Sequence, residues 1–300
     1  MFVKKGRRRA MAGLLGAAAL VLVAACGEQD DSGSPGATGS AAPVTADAAL
    51  AAKVPDAIKS DGKIVVGTDA TYAPNQFVDT DGTTVIGWDI DLFRAVAAKL
   101  GLSAEFQSAT FGDIIPGVTQ GGKYEAGVSS FTINPDRLKQ VNMVSYFSAG
   151  TQWAAKTGAT IDPDNACGKK VAVQTATVQV DDITARSKKC TDAGQPKITI
   201  DQYQKQSDAT NAVVTGKDEA MLADSPVVAY AVKQTGGQLA LLGDIYDSAP
   251  YGYVVKTEQT EFAQALADAV KALISDGTYK TILTKWGVEA GAIDNPAVNP

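Results

Sequence analysis

Residues 87–106 read GWDIDLFRAVAAKLGLSAEF, and two periods follow one another within them. Ile90, Phe93, Val96, Ala97 and Leu100 recur at helical spacing and line one face of a helix over Ile90–Leu100. Asp89 stands before it as a candidate N-cap, and Gly101 ends it. Ala104–Phe106 then reads as a strand. The order repeats elsewhere: strand Ile64–Gly67 precedes this helix, Ala104–Phe106 precedes helix Phe111–Thr119, and Lys170–Gln174 precedes helix Val178–Lys188. Apolar strands alternating with amphipathic helices predict βαβ units and an α/β fold with mainly parallel pairing.

Further along, Gly121–Phe147 reads GGKYEAGVSSFTINPDRLKQVNMVSYF. The apolar run Ala126–Val128 delivers Ser129, Ser130 and Thr132 to a turn made by Asn134-Pro135, and Arg137 follows at once. Hydroxyls at a strand end beside one guanidinium make a grip for a small carboxylate. Arginine's planar fork holds both carboxylate oxygens and stays charged at physiological pH. The same residues also suit a solvated turn, so the pattern alone leaves both readings open.

The N-terminus carries a basic cluster, Lys4, Lys5, Arg7, Arg8 and Arg9, before the apolar run Met11–Ala25, which is short for a membrane span. That run ends in Val23-Ala24-Ala25-Cys26-Gly27, which resembles a lipoprotein signal. It predicts removal of residues 1–25 and lipidation of Cys26; an ordinary secretory signal is the alternative. Residues 26–52 are expected to be the lipidated cysteine and a flexible tether, because Glu28–Val44 is rich in Gly, Ser, Ala, Thr and Pro and lacks aromatics. The whole chain has a net charge of −6, and loss of the five N-terminal cations makes the remainder more acidic still. Such a balance argues against nucleic acid and against a polybasic grip on membranes. Attachment to the outer face of the cell membrane would rest on the lipid.

Two cysteines then remain, Cys167 and Cys190, flanking the unit of strand Lys170–Gln174 and helix Val178–Lys188. The helix runs back beside the strand, so a disulfide is geometrically reasonable, and export makes it chemically reasonable. Two buried free thiols are the alternative. The chain has no histidine, which removes Ser–His and Cys–His nucleophile schemes and leaves no expectation of a metal site or cofactor.

Seven segments in order carry a family resemblance: VGTDATYAP (Val66–Pro74), GWDIDLFRAVAAKLG (Gly87–Gly101), FGDIIPGV (Phe111–Val118), the Gly121–Phe147 stretch, KKVAVQTAT (Lys169–Thr177), ADSPVVAY (Ala223–Tyr230) and SDGTYKTILTKWG (Ser275–Gly287). From Lys63 to Gly287 the chain resembles the solute-binding proteins of ATP-driven amino-acid importers, the polar amino-acid family. The resemblance implies a two-lobed, periplasmic-binding-protein-like fold of type II: two mainly parallel sheets flanked by helices, joined by a two-strand hinge near Ala149–Ala154 and Asp247–Tyr251. Lobe 1 would comprise residues 53–152 and 249–290, lobe 2 residues 153–248, and residues 291–300 a C-terminal tail. Ligand would sit between the lobes, at the C-terminal ends of strands.

By the same resemblance, Arg137 would take a carboxylate with Thr132 beside it. Thr177, at the start of a helix whose free N–H groups suit an anion, would join from the other lobe. Asp224 would accept an ammonium, helped by hydroxyl and carbonyl groups of Ser129 and Ser130. Thr177 and Asp224 also fit plain helix caps. Asp69, Tyr72 and Phe111 would line the side-chain pocket, where Asp69 tilts the choice towards Arg, Lys, ornithine or Gln, although it also suits a turn. Trp88 and Asn75 stand where the family commonly has phenylalanine, which is expected to alter the pocket wall, and Trp153 near the hinge either packs or covers the ligand. The implied function is capture of a free amino acid by a monomeric binding protein, without catalysis, and delivery to an ABC permease. A sensor for a separate receptor and a cyclic-acid dehydratase are the rival readings.

Overall fold

A computed structural model describes residues 44–300; the expected signal segment, Cys26 and most of the tether lie outside the described residues. The chain forms strands β1 (Lys63–Thr68), β2 (Thr71–Tyr72), β3 (Gln76–Val78), β4 (Val85–Ile86), β5 (Ser103–Ser108), β6 (Ala126–Thr132), β7 (Asn142–Lys156), β8 (Lys170–Gln174), β9 (Thr199–Tyr203), β10 (Ala220–Asp224) and β11 (Leu239–Val255). Between them run helices α1 (Ala48–Ala51), α2 (Asp56–Lys59), α3 (Trp88–Lys99), α4 (Phe111–Thr119), α5 (Pro135–Leu138), α6 (Val178–Asp192), α7 (Gln206–Thr215), α8 (Ser225–Gln234), α9 (Thr260–Ser275) and α10 (Thr278–Trp286).

Two parallel groups, β5-β1-β6 (lobe 1) and β10-β8-β9 (lobe 2), lie on either side of the central strands β11 and β7. They are not separate sheets as the resemblance implied. The long antiparallel strands β7 and β11 run through both lobes and join the groups into one eight-stranded sheet. Their crossing requires glycine. A Cβ on Gly150 would lie 2.5 Å from Ile245 Cγ2 and 2.6 Å from the Tyr246 carbonyl oxygen. Opposite it, β11 shifts register between Leu242 and Tyr246 and again before Ala249. The hinge is therefore a close backbone approach beside an irregular strand.

Helix α3 begins one residue before Asp89, with Gly87 in the N-cap position and without a side-chain cap. Gly87 packs so tightly that a Cβ would stand 2.0 Å from the Asn75 carbonyl oxygen. The carbonyls of Pro74 and Asn75 instead receive the Trp88 and Asp89 N–H groups, at 3.2 and 3.1 Å. Backbone does the capping, and the Asp89 side chain is free to turn inward. Trp88, Leu92, Phe93 and Val96 join Tyr146, Tyr253, Phe262, Leu266 and Val270 in the lobe 1 core. Lobe 2 has two smaller clusters, around Met221 and Val228 and around Trp153 and Val171.

Both ends of the described chain pack onto lobe 1. Residues 44–52 belong to the body and not to the tether, because Leu50, with Val54 just after it, is buried and Asp47 donates its N–H to the Lys99 carbonyl. The tail 291–300 pairs along β7, with Ser145 N–H donating to Ala297 O at 2.9 Å and Asn299 N–H to Met143 O at 2.8 Å. It covers the β7 edge that β10, paired only from Thr151 onward, leaves open. Cys167 and Cys190 form a disulfide, with Cα atoms 5.6 Å apart, joining the approach to β8 to the last turn of α6. No helix of the described residues is long and apolar enough to cross a membrane.

Candidate functional site

The C-terminal ends of β1, β6, β8 and β10 meet at a cavity between the lobes. Lobe 1 supplies Asp69, Tyr72, Phe111, Ser129, Ser130, Thr132 and Arg137; lobe 2 supplies Thr177 and Asp224. Every residue singled out in the sequence for ligand contact thus lines this one cavity. Gln174, Val178 and Gln179 line it as well and had not been anticipated.

Arg137 is aimed by the turn before it. Asn134 caps α5 by accepting the Arg137 N–H at 2.9 Å, with Pro135 in the first turn. The side chain folds back so that Nη1 donates to the Thr132 carbonyl at 2.7 Å, and Cζ lies 5.5 and 5.4 Å from the rings of Phe111 and Phe131. These contacts hold the guanidinium without using a carboxylate partner. Burial lowers its pKa to about 10, opposed by Asp224, Tyr72 and Asp181, so it remains charged at neutral pH.

Across the cavity, α6 begins at Thr177. Its hydroxyl donates to the Gln174 carbonyl at 2.7 Å and makes no bond to the helix N-terminus, so it is not a side-chain cap. Residues Thr177, Val178 and Gln179 of that first turn face the cavity, where orphan N–H groups and the helix dipole favour an anion. Asp224 also leaves its helix, α8, without a side-chain cap. Its Oδ1 accepts from Gln179 Nε2 at 2.8 Å and its Oδ2 from the Tyr251 hydroxyl at 2.6 Å. Burial raises its pKa, while the donors from Tyr251, Tyr72 and Gln179 and the charge of Arg137 work against that rise. A cation placed beside Asp224 would relieve the same strain.

Asp69 is both turn residue and pocket wall. Oδ1 accepts from the Thr71 hydroxyl at 2.8 Å, and Oδ2 from Gln174 Nε2 at 2.7 Å across the cleft. Burial pushes its carboxyl up, and those donors push it down. Other bonds span the cleft too: Gln206 N–H donates to Thr71 Oγ1, and Asp224 N–H to the Tyr72 hydroxyl, both at 3.2 Å. The lobes are closed.

Several expectations are revised. The Ser129 and Ser130 hydroxyls face into lobe 1: Ser129 Oγ accepts from Asp69 N–H and Gln76 Nε2, and Ser130 Oγ accepts from Asn75 Nδ2. Trp88 and Asn75 lie behind the wall, fully buried, and compensate each other through a 2.7 Å bond from Trp88 Nε1 to Asn75 Oδ1. Trp153 packs and does not cover; it is fully buried and donates to the Tyr246 hydroxyl at 2.8 Å. Gln174 carried a usable signal, a polar residue ending the apolar strand β8 as Asp224 ends β10. Gln179 carried none beyond its place in the first turn of a helix. Among the described residues, no group of three His, Cys, Asp or Glu is arranged to hold a metal ion.

Residues 64–289 match the bacterial extracellular solute-binding proteins, family 3. The arginine-binding protein ArgT of Corynebacterium glutamicum is 38% identical over 253 residues, covering 83% of this chain and 82% of that protein. A solved structure of an ancestral arginine-binding protein bound to arginine matches with a TM-score of 0.70 at 32% identity, over 75% of this chain and 98% of that one. An ancestral arginine-binding protein bound to glutamine gives 0.70 at 31%, over 76% and 99%. The family model and these relatives are solute-binding proteins and not enzymes. The chain belongs to the bacterial extracellular solute-binding proteins of family 3.

Proposed function

We propose that the protein captures a free polar amino acid, arginine or glutamine foremost, between its lobes and delivers it to an ABC permease from outside the cytoplasm. The observation that carries this reading is the placement of Arg137 and Asp224 on opposite lobes of one cavity. An α-carboxylate between Arg137 and the α6 N-terminus leaves the α-ammonium for Asp224 and the backbone carbonyls of Ser129 and Ser130. The side chain then meets Asp69, Tyr72 and Phe111. A carboxylate at the end of that path favours a guanidinium or amide donor over an acidic group. The arginine-binding relatives, one of them solved with glutamine, support the same choice.

Because each lobe holds part of the grip, ligand favours the closed form, and a permease that prefers the closed form receives loaded protein. Cys26, at the end of the apolar N-terminal run, is the proposed lipid anchor, and the protein acts as a monomer. The test is thermal unfolding of protein refolded free of carried-over ligand, against the common amino acids plus ornithine and citrulline. A ligand at a hundred times its Kd stabilises by about 2.7 kcal/mol. A clear rise with arginine or glutamine is expected. A rise with glutamate or aspartate alone contradicts the role given to Asp69, and silence across the panel contradicts the amino-acid reading.

A further inference from the structure

We propose that Asp89, which lies behind the cavity and not in its lining, is the positioning residue of the ammonium subsite, holding Ser130 in the left-handed conformation that shapes that subsite. Ser130 has φ 53°, an unfavourable backbone for a residue with a Cβ. It sits in a gap in the sheet. Strand β6 pairs with β1 through Ala126 and Gly127 and with β11 through Gly127, Phe131 and Thr132, so Ser129 and Ser130 have no ladder partner.

The N–H that a regular strand would give to a neighbour goes to Asp89. Ser130 N lies 3.2 Å from Asp89 Oδ2, and Ser130 Oγ is 3.2 Å from the same oxygen. Tyr146, on β7, donates its hydroxyl to that oxygen at 2.9 Å. Oδ1 has no hydrogen-bond partner, although Asp89 is fully buried. A buried carboxyl with one idle oxygen is costly, and burial pushes its pKa up to about 7. What the fold gains is the direction of one peptide. In a planar trans peptide the carbonyl points opposite to the N–H, so drawing Ser130 N–H into lobe 1 turns the Ser129 carbonyl towards the cavity. That carbonyl is an acceptor suited to an ammonium.

This inference rests on the amino-acid reading above, and its test separates the two. The wild-type protein, Asp89→Leu and Asp89→Asn are each titrated with L-arginine and with 5-guanidinopentanoic acid, which keeps the guanidinium and carboxylate but lacks the α-amino group. Leucine removes the acceptor at similar size, whereas asparagine retains one. Asp89→Leu should lose about 10-fold or more for L-arginine and under about 3-fold for the desamino compound, and Asp89→Asn should stay within about 3-fold for both. Equal losses for the two ligands, or wild-type affinity in Asp89→Leu, overturn the positioning role while leaving the amino-acid reading intact. Failure of the wild-type protein to bind L-arginine or any other amino acid sinks both. If Asp89→Leu does not fold, Tyr146→Phe removes one of the three donors to Oδ2 and should show the same selectivity, with a loss of about 3-fold confined to L-arginine; no selectivity there overturns the role as well.

Discussion

Gln174 of lobe 2 donates a 2.7 Å hydrogen bond to the Asp69 carboxylate of lobe 1, and the same amide nitrogen donates to the Gln204 carbonyl at 3.1 Å. The bond joins the ends of β8 and β1, and both partners are buried. It is a direct tie between the lobes at the place where the ligand side chain is proposed to end.

Replacing Gln174 with Leu should therefore loosen closure. The Asp69 carboxylate keeps its bond from Thr71 but loses the donor from the other lobe. Ligand affinity is expected to fall by about 5- to 100-fold, the range for leaving a buried acceptor short of a partner. Small-angle scattering of the ligand-free variant should show a larger radius of gyration than wild type. Unchanged affinity and unchanged dimensions would mean that this bond contributes nothing to closure.

Asp69 itself should sort ligands by charge. In Asp69→Asn the wall keeps its shape and its acceptor but loses its negative charge. Arginine affinity should fall by about 10-fold or more, while glutamine, whose terminus is neutral, should change by less than about 3-fold. Equal effects on both ligands, read by competitive titration, would remove Asp69 from the specificity assignment.

The pH dependence of stability has a definite sign at Asp89. Its carboxyl is raised from 3.8 to about 7 by burial, and the ionisable groups facing it are the phenols of Tyr146 and Tyr253. Between those values the native state keeps a proton that the unfolded chain has released, so this group's contribution to stability declines as pH rises through the window and then levels off. Asp69 and Asp224 are raised as well but are present in both proteins being compared. Asp89→Asn should accordingly show a shallower fall in Tm from pH 5 to pH 8 than wild type. Parallel profiles would place the Asp89 titration elsewhere.

The disulfide should matter to stability and not to binding. Joining residues 23 apart in sequence restricts the unfolded chain by about 3 kcal/mol in the loop-entropy model. Cys190 lies in the last turn of α6, about 20 Å along the helix from Thr177. The double variant Cys167→Ser and Cys190→Ser should lose about 3 kcal/mol in denaturant unfolding and keep its ligand affinity. A matching loss of affinity would show that the bridge also sets the position of the α6 N-terminus.

Much of this molecule was legible in the chain because its informative residues sit at the ends of elements. Arg137 follows the Asn134-Pro135 turn, Thr177 opens α6 and Asp224 closes β10, and each place is readable from local pattern. What escaped depends on partners distant in sequence. The Asp89 capping assignment failed because carbonyls of Pro74 and Asn75, packed on Gly87, supply the cap. The inward turn of the Ser129 and Ser130 hydroxyls depends on donors from Asp69, Asn75 and Gln76, across more than fifty residues. The single sheet follows from the length of β7 and β11, which run on through the hinge although residues 243–250 of β11 are largely polar or turn-forming and read locally as a loop.

The two-lobe grip is tested most directly by calorimetric titration of L-arginine and L-glutamine into refolded, ligand-free wild-type protein and into Arg137→Ala. Wild type should bind at least one of them with one-to-one stoichiometry. Arg137→Ala, folded with an unchanged circular dichroism spectrum, should lose about 100-fold or more, the scale of a buried charge-assisted pair. Near-normal affinity in Arg137→Ala would contradict the grip, since the carboxylate would then be held without the one guanidinium the cavity offers it.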